Sequence, residues 1–187
     1  MIQMTNDLSE YFSRIALALN TIEVSGLTVA IDLIRSTCLQ GGKIWIIGNG
    51  GSAATASHFA TDLSNCSNIQ GNEIKAFSLC DNSSQLTAIG NDYGFEHIFK
   101  RQLKKLSMPN DLLITISASG NSQNILNCIE YAKSNSIKTI SISGFDGGAA
   151  AKISDLSIIT VTNIGDYGVA EDSHSIICHF LSSKLRN

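Results

Sequence analysis

Proline is almost missing from this sequence. Pro109 is the only one, and aromatic residues make up just 6% of the chain. No linker, low-complexity tract or internal repeat divides the 187 residues, so the length fits one domain able to bury a full core. No basic stripe or arginine-rich arm is present, and the net charge is −3, which argues against a nucleic-acid partner. No apolar run approaches the ~20 residues that cross a bilayer. The N-terminus carries Asn6, Asp7, Glu10 and Arg14 among apolar residues, which is not the layout of a signal peptide, so a cytoplasmic location is expected. Cys38, Cys66, Cys80, Cys128 and Cys178 are scattered, odd in number and without a C-x-x-C pair. That pattern excludes a disulfide framework and a thiolate zinc knuckle, and it reads as small buried hydrophobes in a reducing compartment.

What is present is a change of texture at Lys43. Before it, Leu8, Tyr11, Phe12, Ile15, Leu17, Leu19 and Ile22, then Val29, Ile31, Leu33, Ile34 and Cys38, recur near helical spacing, and Gly41-Gly42 ends the pattern. These two helices carry more apolar surface than one stripe needs, so residues 1–42 read either as an oligomerisation segment or as a cap on the domain's own sheet. After Lys43, short apolar runs alternate with helical patterns. Strands are expected at 44–47, 74–79, 111–116, 138–142 and 156–161, with helices at 52–65, 85–106 in pieces, 122–134, 149–153 and 169–185. Continuous apolar strands alternating with helices imply an α/β fold, a five-stranded, doubly wound parallel sheet in three layers over residues 43–187. Ligands in such sheets bind beyond the carboxyl ends of the strands, and the glycine loops fall there.

The first loop is Gly48-Asn49-Gly50-Gly51-Ser52. Glycine lets the backbone approach a ligand, and the following helix offers free N–H groups to an anion. Gly48, Gly50 and Ala53 also match the dinucleotide pattern G-x-G-x-x-A, but no acidic residue stands well placed at the end of the next strand. The phosphate P-loop is excluded because no Gly-Lys-Ser/Thr follows. The second loop, Ser117-Ala118-Ser119-Gly120-Asn121-Ser122, brings three hydroxyls to a helix N-terminus, as phosphate-monoester binding without fixed positive charge requires. A lone serine there could be a plain N-cap, but three around a glycine point to phosphate. Two such loops suit one sugar phosphate better than a dinucleotide, with Asn49 and Ser52 on sugar hydroxyls and the turn at Asn91-Asp92 adding further polar groups. His58 and Asp62 share a helix face at i, i+4, while Glu171, Asp172, His174, Cys178 and His179 crowd the last helix. Two histidines and two carboxylates could make a divalent metal site or an acid–base pair.

The glycine loop at 48–52, the segment 88–95 (Ala-Ile-Gly-Asn-Asp-Tyr-Gly-Phe), the serine loop and the closing segment 171–179 together resemble sugar isomerase (SIS) domains, in order and over essentially the whole chain. The nearest branch isomerises sedoheptulose 7-phosphate for heptose supply to lipopolysaccharide or capsule. The resemblance implies a homotetramer with active sites between subunits, phosphate held by Ser117, Ser119 and Ser122, one zinc ion per subunit and no organic cofactor. Residue by residue it gives His58 and His179 as zinc ligands, with His179 also acid/base. Asp62 falls where the family has a glutamate base and ligand, Glu171 where it has a glutamine ligand, and Ala118 where it has a threonine. The substrate contacts would be Asn49, Gly50, Gly51, Ser52, Asn91, Asp92, Ser117, Ala118, Ser119, Ser122 and Glu171. The base would be Asp62 or Glu171. The expected reaction is aldose–ketose isomerisation through an enediol. Non-catalytic SIS regulators or adaptors are the competing reading, and a nicotinamide-dependent oxidoreductase ranks third.

Overall fold

The computed structural model describes residues 2–66 and 69–186. Helices α1 (Ile2–Leu19) and α2 (Val24–Leu39) precede an alternation of β1 (Lys43–Gly48), α3 (Gly51–Ser64), β2 (Lys75–Ser78), α4 (Ser83–Tyr93) and α5 (Ile98–Leu106). It continues through β3 (Leu112–Ser117), α6 (Gln123–Ser134), β4 (Lys138–Ser143), α7 (Gly148–Ile153), β5 (Leu156–Ile159) and α8 (Tyr167–Ser183). The strands form one sheet in the order β2-β1-β3-β4-β5, and every neighbouring pair is parallel. The doubly wound α/β architecture read from the sequence is therefore the observed one, with strand ends moved by a residue or two.

Alternate residues of each strand feed opposite faces, which explains the unbroken apolar runs. Ile44, Ile46, Ile114, Ile116, Ile140 and Ile142 point to the face covered by α2, α3 and α8, where they meet Ile34, Phe59, Leu63, Ile177 and Leu181. Trp45, Ile47 and Leu113 point to the other face, under α5 and α6, where they meet Phe99, Leu103, Ile125 and Ile129. Helix α2 is thus part of the main core through Ala30, Ile34 and Cys38. Helix α1 is less committed. It is tied to α8 by Tyr11 Oη donating to Asp172 (2.7 Å) and to the approach of α8 by an Arg14–Asp166 ion pair (2.8 Å), while Met4, Leu8 and Phe12 stay exposed.

One sequence expectation changes. Asn91 and Asp92 lie in the last turn of α4 and not in a turn of their own, because the chain breaks only at Gly94, whose positive φ (93°) ends the helix. The five cysteines are all free thiols, and all but Cys80 are buried, as the scattered spacing implied. Among the described residues no single helix is long and apolar enough to cross a membrane.

The amino ends of the central strands are pinned by Asp111. Its buried carboxylate accepts from the Lys43 N–H (2.8 Å), the Trp45 indole N–H (2.8 Å) and the Met108 N–H (2.9 Å), tying β1 to the entry of β3. Asp111→Ala leaves three donors without an acceptor, and chemical denaturation should show a loss of about 3 kcal/mol; a loss below about 1 kcal/mol would contradict this role. On the opposite side His174, on α8, is wholly buried and neither ring nitrogen completes a hydrogen bond. Burial pushes its pKa down to about 4, and the Ser143 backbone offsets this only in part. Between pH 6.5 and about 4 the unfolded chain binds a proton that the folded chain refuses, so stability falls as pH drops through that window. His174→Leu should flatten the pH dependence there by on the order of 3 kcal/mol, read as urea midpoints across the window. A variant with the wild-type slope would show that the imidazole is not the group responsible.

Candidate active site

The two loops singled out in the sequence meet at one place. Strand β1 turns into α3 on one face of the sheet, and its neighbour β3 turns into α6 on the other. Between their carboxyl ends lies a cavity of about 100 Å³ lined by Asn49, Ser52, Ser117, Ala118, Ser119, Ser122, Tyr167 and Glu171. Glycine is required at two points of this construction. A side chain on Gly48 would strike the Ser52 backbone, and Gly120, at φ 62°, packs its α-carbon against the Gly147 carbonyl.

The serine loop is held by its own bonds. Ser117 Oγ accepts from the Gly120 N–H (3.1 Å) and Ser119 Oγ from the Asn121 N–H (3.3 Å), which leaves both hydroxyl protons to donate. Ser122 occupies the N-cap position of α6 without using its side chain to cap it. The plain-cap explanation is therefore not realised, and Ser122 lines the cavity. Ala118 lines the cavity with a methyl group and supplies no side-chain donor.

Asn49 does not reach into the cavity as a free amide. Its Nδ2 donates to Asn124 Oδ1 (2.9 Å) and its Oδ1 accepts from Asn124 Nδ2 (2.8 Å). Gly50 and Gly51 are exposed at the start of α3, and the Glu171 carboxylate lies directly against the Gly51 α-carbon. That position suits a carboxylate, since the first turn of a helix presents unsatisfied N–H groups and the positive end of its dipole. Asn91 and Asp92 are not among the cavity residues; they are exposed, and Asn91 Nδ2 donates to Asp92 Oδ1 (2.9 Å).

Further along α3 and α8, which pack side by side, a second group assembles. His58 Nε2 and His179 Nε2 each stand 3.8 Å from the Asp62 carboxylate, and the two imidazole rings meet edge to face at 5.0 Å. One ligand atom from each of the three lies within 4.8 Å of the others, close enough to hold one metal ion. Two imidazoles and a carboxylate are a zinc-type donor set that leaves a coordination position open. Glu171, expected as a fourth ligand, stands outside this group. It precedes His179 by eight residues on α8, so its Cα lies about 12 Å back along the axis, and its carboxylate is turned to Gly51. In its place the sequence reading missed Arg186, whose Nη2 donates to Asp62 Oδ1 at 3.1 Å. Two more residues escaped it. Tyr167 stacks edge to face on Phe145 (5.3 Å) at the cavity wall, and Asn124 is buried behind Asn49. No local motif marked either one, because their roles depend on which loops the sheet brings together.

Known proteins resemble this chain in sequence and in fold. Residues 10–144 match the SIS domain family. A phosphoheptose isomerase of Helicobacter pylori is 41% identical over 152 residues, 81% of this chain and 78% of that protein. The structure of a phosphoheptose isomerase from Neisseria gonorrhoeae superposes with a TM-score of 0.86 at 31% identity, covering 97% of this chain and 98% of that one. One from Francisella tularensis gives 0.87 at 28% identity over 99% and 98%. The chain belongs to the SIS-domain family and, within it, to the phosphoheptose isomerases.

Proposed function

We propose that the protein interconverts sedoheptulose 7-phosphate and D-glycero-D-manno-heptose 7-phosphate through an enediol, with the phosphate in the serine loop and the reacting carbons at His58, Asp62 and His179. The observation that carries this reading is that α3 and α8 run from the cavity, where they contribute Ser52 and Glu171, to His58, Asp62 and His179. From Gly51 to His58, α3 advances about 10 Å, a length that an extended heptose phosphate spans. Phosphate anchoring at one end then fixes the orientation of the carbons at the other.

Asp62 takes the proton from the carbon beside the carbonyl, and His179, 3.8 Å from it, moves the proton on the neighbouring oxygen. Glu171, at the cavity wall beside Ser52, accepts hydrogen bonds from sugar hydroxyls. A zinc ion held by His58, Asp62 and His179 would supply Lewis-acid polarisation of the carbonyl and stabilise the developing oxyanion. The exposed Met4, Leu8 and Phe12, four residues apart on α1, support pairing of this helix with a second copy, as in a homotetramer. Heptose supply for lipopolysaccharide or capsule, in the cytoplasm, is the setting that fits. The competing regulator or adaptor reading has no need of a carboxylate held between two imidazoles.

The test is a proton NMR time course with sedoheptulose 7-phosphate in heavy water. Aldose phosphate should form with deuterium next to the carbonyl. Asp62→Asn and His179→Ala should each lower kcat by about 10²-fold or more while substrate still binds. Glu171→Gln should mainly raise KM. Binding without any deuterium exchange in the wild type would overturn the isomerase reading, and a kcat loss confined to Glu171→Gln would move the base to Glu171.

A further inference from the structure

Asn124 is 2% exposed, lies in the first turn of α6 and does not line the cavity, yet it makes three directed hydrogen bonds. Its Oδ1 accepts from the backbone N–H of Ile125 (3.0 Å) and from Asn49 Nδ2 (2.9 Å), and its Nδ2 donates to Asn49 Oδ1 (2.8 Å). A carboxamide has one acceptor oxygen with two lone pairs and one nitrogen with two protons. Both lone pairs of Asn124 are therefore used. The Ile125 N–H is shared between this oxygen and the Ser122 carbonyl (3.0 Å each), and turning the amide over would set the Asn124 NH2 against it.

That restriction passes to the partner. With the Asn124 oxygen fixed, Asn49 must offer its nitrogen to it and its own oxygen to the Asn124 nitrogen. One N–H and one lone pair of Asn49 remain, each at a set end. An unpaired asparagine at a cavity wall would present donor or acceptor equally well to a hydroxyl.

We propose that Asn124 is a positioning residue for substrate recognition. It converts the direction of one backbone N–H in α6 into a fixed donor–acceptor polarity of Asn49 against the sugar hydroxyls. The same pair joins the loop after β1 to the helix after β3 behind the cavity wall. A sugar hydroxyl can donate or accept, so the selection is by position: only a hydroxyl placed at the remaining N–H or lone pair of Asn49 gains the bond, and a stereoisomer that points it elsewhere loses it. This rests on the phosphosugar reading above, and two measurements keep the two apart.

The first uses the protein without substrate. The Asn49 side-chain amide, assigned in a ¹H–¹⁵N spectrum by its loss in Asn49→Ala, should show two well-separated proton signals protected from exchange. In Asn124→Ala these should collapse towards free-amide positions, whereas Asn124→Asp, which still accepts from Ile125 and Asn49, should keep them apart. Unchanged Asn49 signals in Asn124→Ala overturn the proposal.

The second measurement reads function. Asn124→Ala should raise KM for sedoheptulose 7-phosphate about tenfold while the inhibition constant of inorganic phosphate moves less than about twofold. In an Asn49→Ala background the same change should add less than about twofold to KM. An equal loss for sugar and inorganic phosphate would mean that Asn124 only holds the serine loop, and would also overturn the proposal. If the wild type fails to engage sedoheptulose 7-phosphate, the functional reading fails, and the amide signals still decide the role of Asn124.

Discussion

At the middle of the sheet two hydrogen-bonded neighbours, β1 and β3, send the chain to opposite faces as they end. β1 feeds α3 beneath the isoleucine-rich face, and β3 feeds α6 beneath the face of Trp45 and Leu113. Where neighbouring strands diverge this way, the sheet leaves a crevice at their carboxyl ends that no side chain of the core fills. Everything proposed for this protein depends on that crevice. It brings a glycine loop and a serine loop together that lie about seventy positions apart in the chain, and it aims two helix N-termini at one small volume. Asp111 pins the same two strands at their far end, so the separation that forms the crevice is fixed from both sides.

Among the described residues, no lysine or arginine lines the cavity. What it offers the proposed phosphate is hydroxyl protons and the amide ends of α3 and α6, groups that direct hydrogen bonds without the reach of a full charge. The charged chemistry is held further along α3 and α8, where Asp62 stands among two imidazoles and the Arg186 guanidinium. In the proposed function, a cradle of hydroxyls and amides set apart from the acid–base groups would bind the phosphate without drawing it onto them. Glu171 sits between the two, its carboxylate on the first turn of α3.

The sheet and both loops were legible in the sequence because local chemistry dictates them. Runs such as Leu112–Ile116 can only be buried on two sides, and Gly48 and Gly120 stand where a Cβ would strike backbone. The pairing of His58 with Asp62 followed from helical spacing alone. What lay beyond reach depended on long-range approach. Arg186 comes from the end of the chain to Asp62, Asn124 meets Asn49 across two strands, and Tyr167 reaches the cavity because Phe145 backs it. The turn expected at Asn91-Asp92 failed for a local reason, since two polar residues before a glycine fit a helix's last turn as well as a separate bend.

The central claim is that one phosphosugar lies across the crevice with its two ends at different groups. A crystal structure with a non-isomerisable heptitol 7-phosphate tests it most directly. The phosphorus should lie within the loop formed by Ser117, Ser119 and Ser122, with the far end of the carbon chain directed along α3 towards His58, Asp62 and His179. A phosphate bound at the imidazoles, or one bound away from the crevice between β1 and β3, would contradict the account.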